Sequence, residues 1–452
     1  MPRTPSLARL RSSQSTCPTK ARCPCGCWPP RPSRPPLPPS PSNSPNGKRN
    51  VSSRIVAAVE IGTDKVAVLV GEITRGRALN IIGVGLAPSR GVMKGEVVDY
   101  KAACEATHHA LEMAEKRAGL RIEEVWLAQT GGHLDAFLNE ASVNVKSADN
   151  TVTALDITSV CELAKEKELP AGRSRIHEIR RPFRLDGRVV PAPEHLSGRR
   201  LEVGYWIVHG PESKISDNIH VVGGYHLEVR ELVLASLATG SLLTSAEERS
   251  QGALVIDLGK GVTDYVLYRD GHVLVTGTLP VAGDHVTNDL SLGLRVTLAQ
   301  AEMLKLRHAR ATTGTRDRAE KVWLNGDASF GDRQLPRMAI EAITAARVQE
   351  LFEVIRAKLG PAFVPEHCGA GVVLAGGTAK LPGIEEAASR VFGLPARRGE
   401  PPGWVKEELQ DPMFSTVLGV FQFGLRTAHE HAVPPRRKTG LLSNLTKIFA
   451  AS

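Results

Sequence analysis

The sequence predicts an α/β protein in which two related halves close on a shared cleft. Three observations carry that prediction. Residues 253–265, A-L-V-I-D-L-G-K-G-V-T-D-Y, read as an apolar strand ending in Asp257, a glycine-spaced turn, a second acid at Asp264 and another apolar segment. Residues 55–86 repeat the order: strand, Glu60 at its end, an acid-x-Gly turn, strand, polar turn, third strand. Residues 371–383 then give an apolar strand, a Gly376-Gly377 turn and a helix start. Alone, D-x-G-x-G also fits an ordinary hairpin turn. Met twice in one chain, it points to two related domains facing each other.

The chemistry of the turns follows from their residues. Glycines at 259 and 261 let the backbone approach a ligand closely. Consecutive backbone N–H groups in such turns form anion-binding concavities. Asp257 suits a cation, directly or through water, because hard Mg²⁺ prefers oxygen ligands. The double glycine 376–377 lets a flat base lie against the backbone, and amides at a helix start favour an anion. Two opposed turns with carboxylates and bare amides form a cleft for a phosphate chain and its metal.

Composition narrows the class. A chain of 452 residues, 42% hydrophobic and 23% charged, is that of a globular protein of roughly two to four domains. The net charge of +9 misleads, because residues 1–50 hold nine Lys or Arg and no acid. The remainder has 48 basic and 48 acidic residues, so its surface gives no reason to expect nucleic acid as a partner. Cys17, Cys23, Cys25 and Cys27 cluster in that same segment with a spacing that is not a usual zinc pattern. Cys104, Cys161 and Cys368 are scattered, which fits a reducing cytosol. No apolar run approaches the ~18 residues of a transmembrane helix.

In chain order, residues 1–50 carry 13 of the 30 prolines and cannot bury enough apolar surface to order. They are read as disordered, or as upstream of a true start near Val51. Strands are expected at 55–59, 66–73 and 79–86. A helix at 101–119 has Ala103, Ala106, Ala110, Leu111 and Ala114 near helical spacing and ends on Gly119. Strands at 125–129 and 136–145, a helix at 156–168 and a strand at 176–183 make a small inserted unit. Strand 201–209, helix 211–222, strand 227–234 and helix 236–248 complete the first half. In the second half, strands 253–258, 262–268 and 272–280 precede helices at 286–292, 298–309 and 337–359. Residues 310–335 are expected to be loop-rich.

The tail differs from the rest. Residues 429–439 hold two prolines beside Arg436, Arg437 and Lys438. In residues 440–452, Leu441, Leu442, Leu445, Ile448 and Phe449 fall within roughly 120° at about 100° per residue, and Lys447 points away. Such a helix either packs on its own domain or lies on a membrane surface; the Pro-rich basic linker before it favours the membrane. Full burial of a Leu, Ile or Phe contributes roughly 1.5–3 kcal/mol, less the cost of ordering so short a helix. One copy would bind reversibly, and many copies on a polymer would bind firmly.

Residues 60–66, E-I-G-T-D-K-V, resemble the first phosphate motif of the actin/Hsp70/sugar-kinase superfamily. Residues 257–264 resemble the second, and 374–383 the adenosine motif. Within the superfamily the chain resembles the FtsA family of bacterial cell-division proteins, through 94–99, 280–289, 301–305 and the terminal amphipathic segment. The resemblance implies an actin-like (ribonuclease H-like) two-domain fold with ATP and Mg²⁺ in the cleft. Glu60, Gly62, Thr63, Lys65, Asp257, Gly259, Lys260, Gly261 and Asp264 would hold phosphate and metal, with Asp257 reaching Mg²⁺ through water. Glu302, Lys305, Gly376 and Gly377 would lie at the nucleoside. Subdomain 1A would comprise 54–98 and 181–250, the inserted subdomain 1C 99–180, subdomain 2A 251–296 and 367–427, and subdomain 2B 297–366. A linker, 428–439, and the membrane-targeting helix, 440–452, would follow.

The same resemblance implies self-assembly into filaments, contacts of the inserted subdomain within them, other division proteins as partners, and binding of the C-terminal tail of the tubulin-like protein FtsZ to subdomain 2B. The helix would tether that polymer to the anionic inner membrane, on its cytoplasmic face at the division site. Three departures matter. Where the family's motifs usually carry Asp, Gly and Thr, this chain has Glu60, Lys260 and Val262. Glu60 reaches one methylene farther than Asp. Lys260 has three candidate partners: phosphate, Asp264 or Glu60. Val262 removes a hydroxyl. Together they predict ATP binding with slow or negligible hydrolysis. The competing readings are a pilus-assembly-type actin-like ATP-binding protein and a sugar-kinase-like phosphotransferase. The chain shows no kinase substrate motif for the latter.

Overall fold

The computed structural model describes residues 54–73, 79–314, 320–324 and 332–430. Residues 1–50, most of the linker, and the amphipathic segment with Leu441, Leu442, Leu445, Lys447, Ile448 and Phe449 lie outside the described residues. Among the described residues no helix is long and apolar enough to cross a membrane.

The internal repeat is a repeat of topology. Strands Arg54–Ile61, Lys65–Ile73 and Leu79–Pro88 form an antiparallel meander, extended on its far side by the parallel strands Glu124–Gln129 and Glu228–Leu234. Strands Ala253–Leu258, Thr263–Arg269 and His272–Leu279 form a second meander, extended in the same sense by Val372–Ala375 and Ala396–Arg398. Each sheet thus has a glycine turn between its first two strands and a parallel strand beside the first. The central strands are continuous apolar runs because both faces of each sheet are covered. Between the halves, Asp135–Asn144, Arg173–Arg180, Phe183–Leu185, Arg188–Val190 and Arg200–Pro211 make a third, separate sheet.

Packing explains where the helices fall. Helix Tyr100–Ala118 lays its alanine stripe and Leu111 on the first sheet, among Val59, Val66 and Val68. Helices Ala235–Leu243 and Ser415–Glu430 lie between the two large sheets. There Ala238, Val417, Leu418 and Phe421 join Val56 and Trp126 of one sheet to Val255 and Val373 of the other. The small residues of 235–240 serve this close approach: Gly419 sits against the Ala238 backbone. Helix Arg337–Leu359 packs with Gly283–Leu294 and Ile384–Phe392 on the outer side of the second sheet.

The structure corrects several expectations. The helix expected over 236–248 is two helices, Ala235–Leu243 and Ala246–Gln251. Thr244 is extended, and Ser245 with Glu248 forms a capping box that starts the second helix. The loop-rich segment contains a hairpin, Lys321–Leu324 with Arg333–Pro336. The glycine pair at 376–377 opens a short 3₁₀ turn, Gly377–Lys380, and the α-helix begins later at Ile384. Helix Ser415–Glu430, which reaches into the expected linker, had no counterpart in the sequence reading. The sheets also divide the chain elsewhere than 99 and 180: Tyr100–Ala118 covers the first sheet, whereas Phe183–Leu185 and Arg200–Pro211 belong to the inserted one.

Candidate functional site

Each half contributes one tight turn. In the first, Gly62 N–H donates to the Lys65 carbonyl at 2.9 Å; in the second, Gly259 N–H donates to the Val262 carbonyl at 3.0 Å. The two turns meet tip to tip. A methyl group on Gly261 would lie 2.4 Å from Thr63 Oγ1, so only glycine permits the approach. Beneath the tips lies a cavity of about 420 Å³, within the range of small-molecule sites. It gathers every cleft residue expected from the sequence: Glu60, Gly62, Thr63 and Lys65 from one turn; Asp257, Gly259, Lys260, Gly261 and Asp264 from the other; Glu302 and Lys305; and Gly376 and Gly377.

Three acids face this space, Asp257 and Asp264 from buried positions and Glu60 from a partly buried one. Glu60 is 3.5 Å from Lys65 Nζ through Oε1, while its Oε2 is buried without a hydrogen bond. Burial raises its pKa, Lys65 opposes the rise, and Asp257 adds to it. Asp257 Oδ2 accepts from Thr239 Oγ1 at 2.8 Å and from Thr416 Oγ1 at 2.7 Å. Burial raises its pKa too, and the two hydroxyls hold the rise back. Asp264 accepts from Thr130 Oγ1 at 2.9 and 2.7 Å and from Thr278 Oγ1. Burial pushes its pKa up to about 7 against those bonds, with Asp257 and Glu60 contributing further. Removing charge-stabilising water from so many carboxylates is costly unless cations or donors replace it.

Among the described residues Lys260 pairs with neither carboxylate considered for it from the sequence, Asp264 or Glu60. Its Nζ sits 3.0 Å from Asp64 Oδ1, so it bridges the two turns across the cleft mouth. Asp64 beside it raises its pKa against partial burial. On the opposite wall, Lys305 Nζ is held by Glu302 at 2.7 Å, Thr287 at 2.9 Å and the Gly283 carbonyl at 3.2 Å. Gly376 has φ of 82°, and a methyl group there would fall 2.4 Å from both Asp257 Oδ1 and the Leu258 carbonyl. Gly377 by contrast faces open space. Thr378 Oγ1 donates to the Gly259 carbonyl at 2.8 Å, fastening this turn to the second hairpin.

Four threonines that hold the acids, Thr130, Thr239, Thr278 and Thr416, escaped the sequence reading. Thr130 follows the strand Glu124–Gln129, Thr239 lies inside a helix, and Thr416 begins the helix that was not foreseen. Only Thr278 had a local signal, since it pairs in register with Asp264 across the hairpin.

The set fits a phosphate-bearing ligand. Lys65, Lys260 and Lys305 supply positive charge, and Glu60 Oε2 and Thr63 Oγ1 are buried polar atoms without partners. Among the described residues no group of three or more His, Cys, Asp or Glu is gathered as a metal cage. A Mg²⁺ ion here would therefore depend on water and phosphate oxygens, as Mg²⁺ commonly does.

A family model described as cell division protein FtsA matches residues 254–419, and one described as the SHS2 domain inserted in FtsA matches residues 131–209. The chain is 30% identical over 378 residues to the cell division protein FtsA of Pseudomonas aeruginosa, covering 83% of this chain and 90% of that protein. It is 32% identical over 371 residues to the FtsA of Neisseria meningitidis, covering 81% and 89%. Among solved structures, a PilM-PilN type IV pilus biogenesis complex matches with a TM-score of 0.55 and 20% identity, covering 82% of this chain and 98% of that one. MreB5 of Spiroplasma citri bound to ADP matches with a TM-score of 0.50 and 14% identity, covering 84% and 99%. These two likenesses establish the actin-like fold.

Proposed function

The chain belongs to the FtsA family of cell division proteins, and from that premise we propose that it is a nucleotide-gated polymer that ties the FtsZ ring to the cytoplasmic face of the membrane at the division site. The observation that carries the nucleotide part is the meeting of two equivalent glycine turns, one from each half, over a cavity walled by buried acids and lysines. A bound ATP would bring phosphate oxygens to the bare amides of both turns. The amides near Gly62 and Gly259 would face its phosphates, with Lys65 and Lys260 as counter-charges. Glu302, Lys305 and the open side of Gly377 would receive the nucleoside. Because the two turns belong to different halves, a ligand held by both fixes their relative position, which is what a filament contact needs.

Slow or negligible hydrolysis remains our reading of the chemistry. Val262 offers no hydroxyl at the second turn, and Glu60 already spends one oxygen on Lys65. Asp264, its pKa pushed up to about 7 by burial, is engaged by two threonines. Membrane attachment is assigned to residues 440–452 and FtsZ binding to the helical region 297–366, both on the strength of the family. A weak single helix multiplied along a polymer gives attachment that depends on assembly.

Co-sedimentation of the full chain with anionic liposomes tests this, with and without ATP, Mg²⁺ and FtsZ. Recruitment of FtsZ should require liposomes and rise with ATP. Deleting residues 440–452 should abolish liposome binding; retained binding would refute the tether. Rapid turnover of ATP, at a metabolic kinase's rate on any small substrate, would refute the gate.

A further inference from the structure

A second groove lies away from the nucleotide cavity. Among the described residues, strand Asp135–Asn144 pairs only with Arg200–Pro211, and strand His272–Leu279 pairs only with Thr263–Arg269. Each is therefore the edge of its sheet, one in the insert and one in the second half. Edge strands keep one side of their backbone outside any ladder and so offer hydrogen bonds to an extended chain. The two edges face a common groove of about 610 Å³, with residues 140–142 on one wall and 272–274 on the other.

Arginines line the same groove. Arg181 donates to the Leu274 carbonyl at 2.6 Å, and Arg269 donates to the Ala362 carbonyl at 2.9 Å. The Nε of each is buried and unbonded. Arg184 is exposed beside them. None of the three has an ion-pair partner among the described residues, whereas neighbouring Arg200 is paired with Glu202 at 2.8 Å. Burial holds Arg181 below its ordinary pKa; Glu140 counters this, and Arg184 and Arg269 lower it further. Glu140, Glu202 and Asp270 line the groove as well, and its four arginines, Arg181, Arg184, Arg200 and Arg269, outnumber them by one, which favours an anion beside the three that lack an ion pair. Val189, 62% exposed, adds apolar surface between them.

We propose that this groove binds an extended acidic peptide of a partner protein, which adds a strand to a sheet edge and places carboxylates on Arg181, Arg184 and Arg269. Guanidinium groups recognise carboxylates through paired parallel hydrogen bonds. The chain's own terminal segments are unsuited: residues 1–50 hold nine basic residues and no acid, and 431–452 hold Arg436, Arg437, Lys438 and Lys447 and no acid. Occupancy would also bear on the cleft. On strand His272–Leu279, Thr276 Oγ1 accepts from Trp206 Nε1 of the insert at 2.9 Å, and Thr278 bonds Asp264.

The test uses the full chain and a fluorescently labelled peptide of alternating Glu and Val, followed by anisotropy. The acidic peptide should bind, and a Lys/Val peptide of the same length should bind at least about tenfold more weakly, the scale of close charge pairs. Arg184→Glu, at an exposed position that leaves the fold intact, should weaken the acidic peptide by about tenfold or more. Equal affinity for the two peptides overturns the proposal. So does unchanged affinity in Arg184→Glu, which would place the binding on the basic termini instead.

Discussion

The two turns of the cleft hold their terminal acids by different means. Glu60 is balanced from within its own turn, by Lys65 five residues on. Asp257 is balanced from far along the chain, by Thr239 and by Thr416, which is 159 residues away. The first turn finds its cation locally, with the Val417 backbone as a smaller contribution from elsewhere in the chain. The second is complete only after the helices Ala235–Leu243 and Ser415–Glu430 have packed between the sheets. A self-contained turn can form early and tolerate change. A turn that borrows its donors makes the cleft depend on the joint between the halves.

The largest effect should come from removing what the second turn borrows. Thr239→Val with Thr416→Val keeps the shape of both side chains and leaves Asp257 without either hydroxyl. Hydrogen bonds to a charged group are worth roughly 1.5–3 kcal/mol each. The double variant should lose roughly 3–5 kcal/mol at pH 8 in denaturant unfolding. Burial already raises the Asp257 pKa, and losing the donors raises it further. A group raised in the folded state destabilises as pH rises, so the loss should shrink towards pH 4. A loss independent of pH would mean that packing, not charge, is what the threonines supply.

Asp264 gives the next effect, with opposite sign. Its pKa is about 7 in the fold against 3.8 ordinarily. Below the ordinary value both states hold the proton and its stabilisation is complete. Between there and about 7 the unfolded chain has released the proton that the folded chain keeps, so stability falls as pH rises. Asp264→Asn should flatten that slope and stabilise the protein by roughly 2–4 kcal/mol at pH 8, at about 1.4 kcal/mol per pKa unit. Thermal unfolding across pH 4–8 reads it directly, and an unchanged slope would mean that Asp264 is ionised throughout.

Legibility in the sequence follows the same division between local and borrowed. The first-strand acids, their glycine turns and Gly376-Gly377 are contiguous patterns, and each was readable where it stands. The repeat of turn positions exposed the two-half fold because both sheets begin with the same meander. The threonines were invisible for the opposite reason: a lone Thr inside a helix looks like any other until packing brings it to a carboxylate. Helix Ser415–Glu430 has Val417, Leu418, Val420 and Phe421 all buried, because it is wedged between two sheets. Its apolar pattern is periodic, but Gly419 and Gly424 inside it weaken the case for a helix. The insert's limits were misplaced because a helix and a strand next to it in sequence belong to different sheets.

Lys65→Met should act more mildly than the paired threonine change. It removes the one cation that holds Glu60's raised pKa in check. The pair is long, at 3.5 Å, so the loss should be about 1–2 kcal/mol at pH 8 and vanish at low pH once Glu60 is protonated. Unfolding at the two pH values decides it. An effect as large as the threonine pair's would erase the contrast between the turns.

Lys260 is where the two turns touch through charge, and its removal should cost the fold least. The Lys260 and Asp64 side chains are 36% and 63% exposed, so the bridge is screened by water and salt. Lys260→Gly should change stability by no more than about 0–1 kcal/mol. Its effect on a nucleotide should be larger than its effect on the fold. Taking away Lys260 leaves Asp64 alone at the cleft mouth and should weaken ATP by about threefold to tenfold at low salt; Asp64→Ala should strengthen it by a similar factor. Titration calorimetry at low and high salt separates the cases. Opposite shifts that fade with salt would place the bridge in the field of the phosphates. Equal ATP affinity in both variants and the parent chain would leave the bridge as a fastener between the turns that takes no part in gripping the ligand.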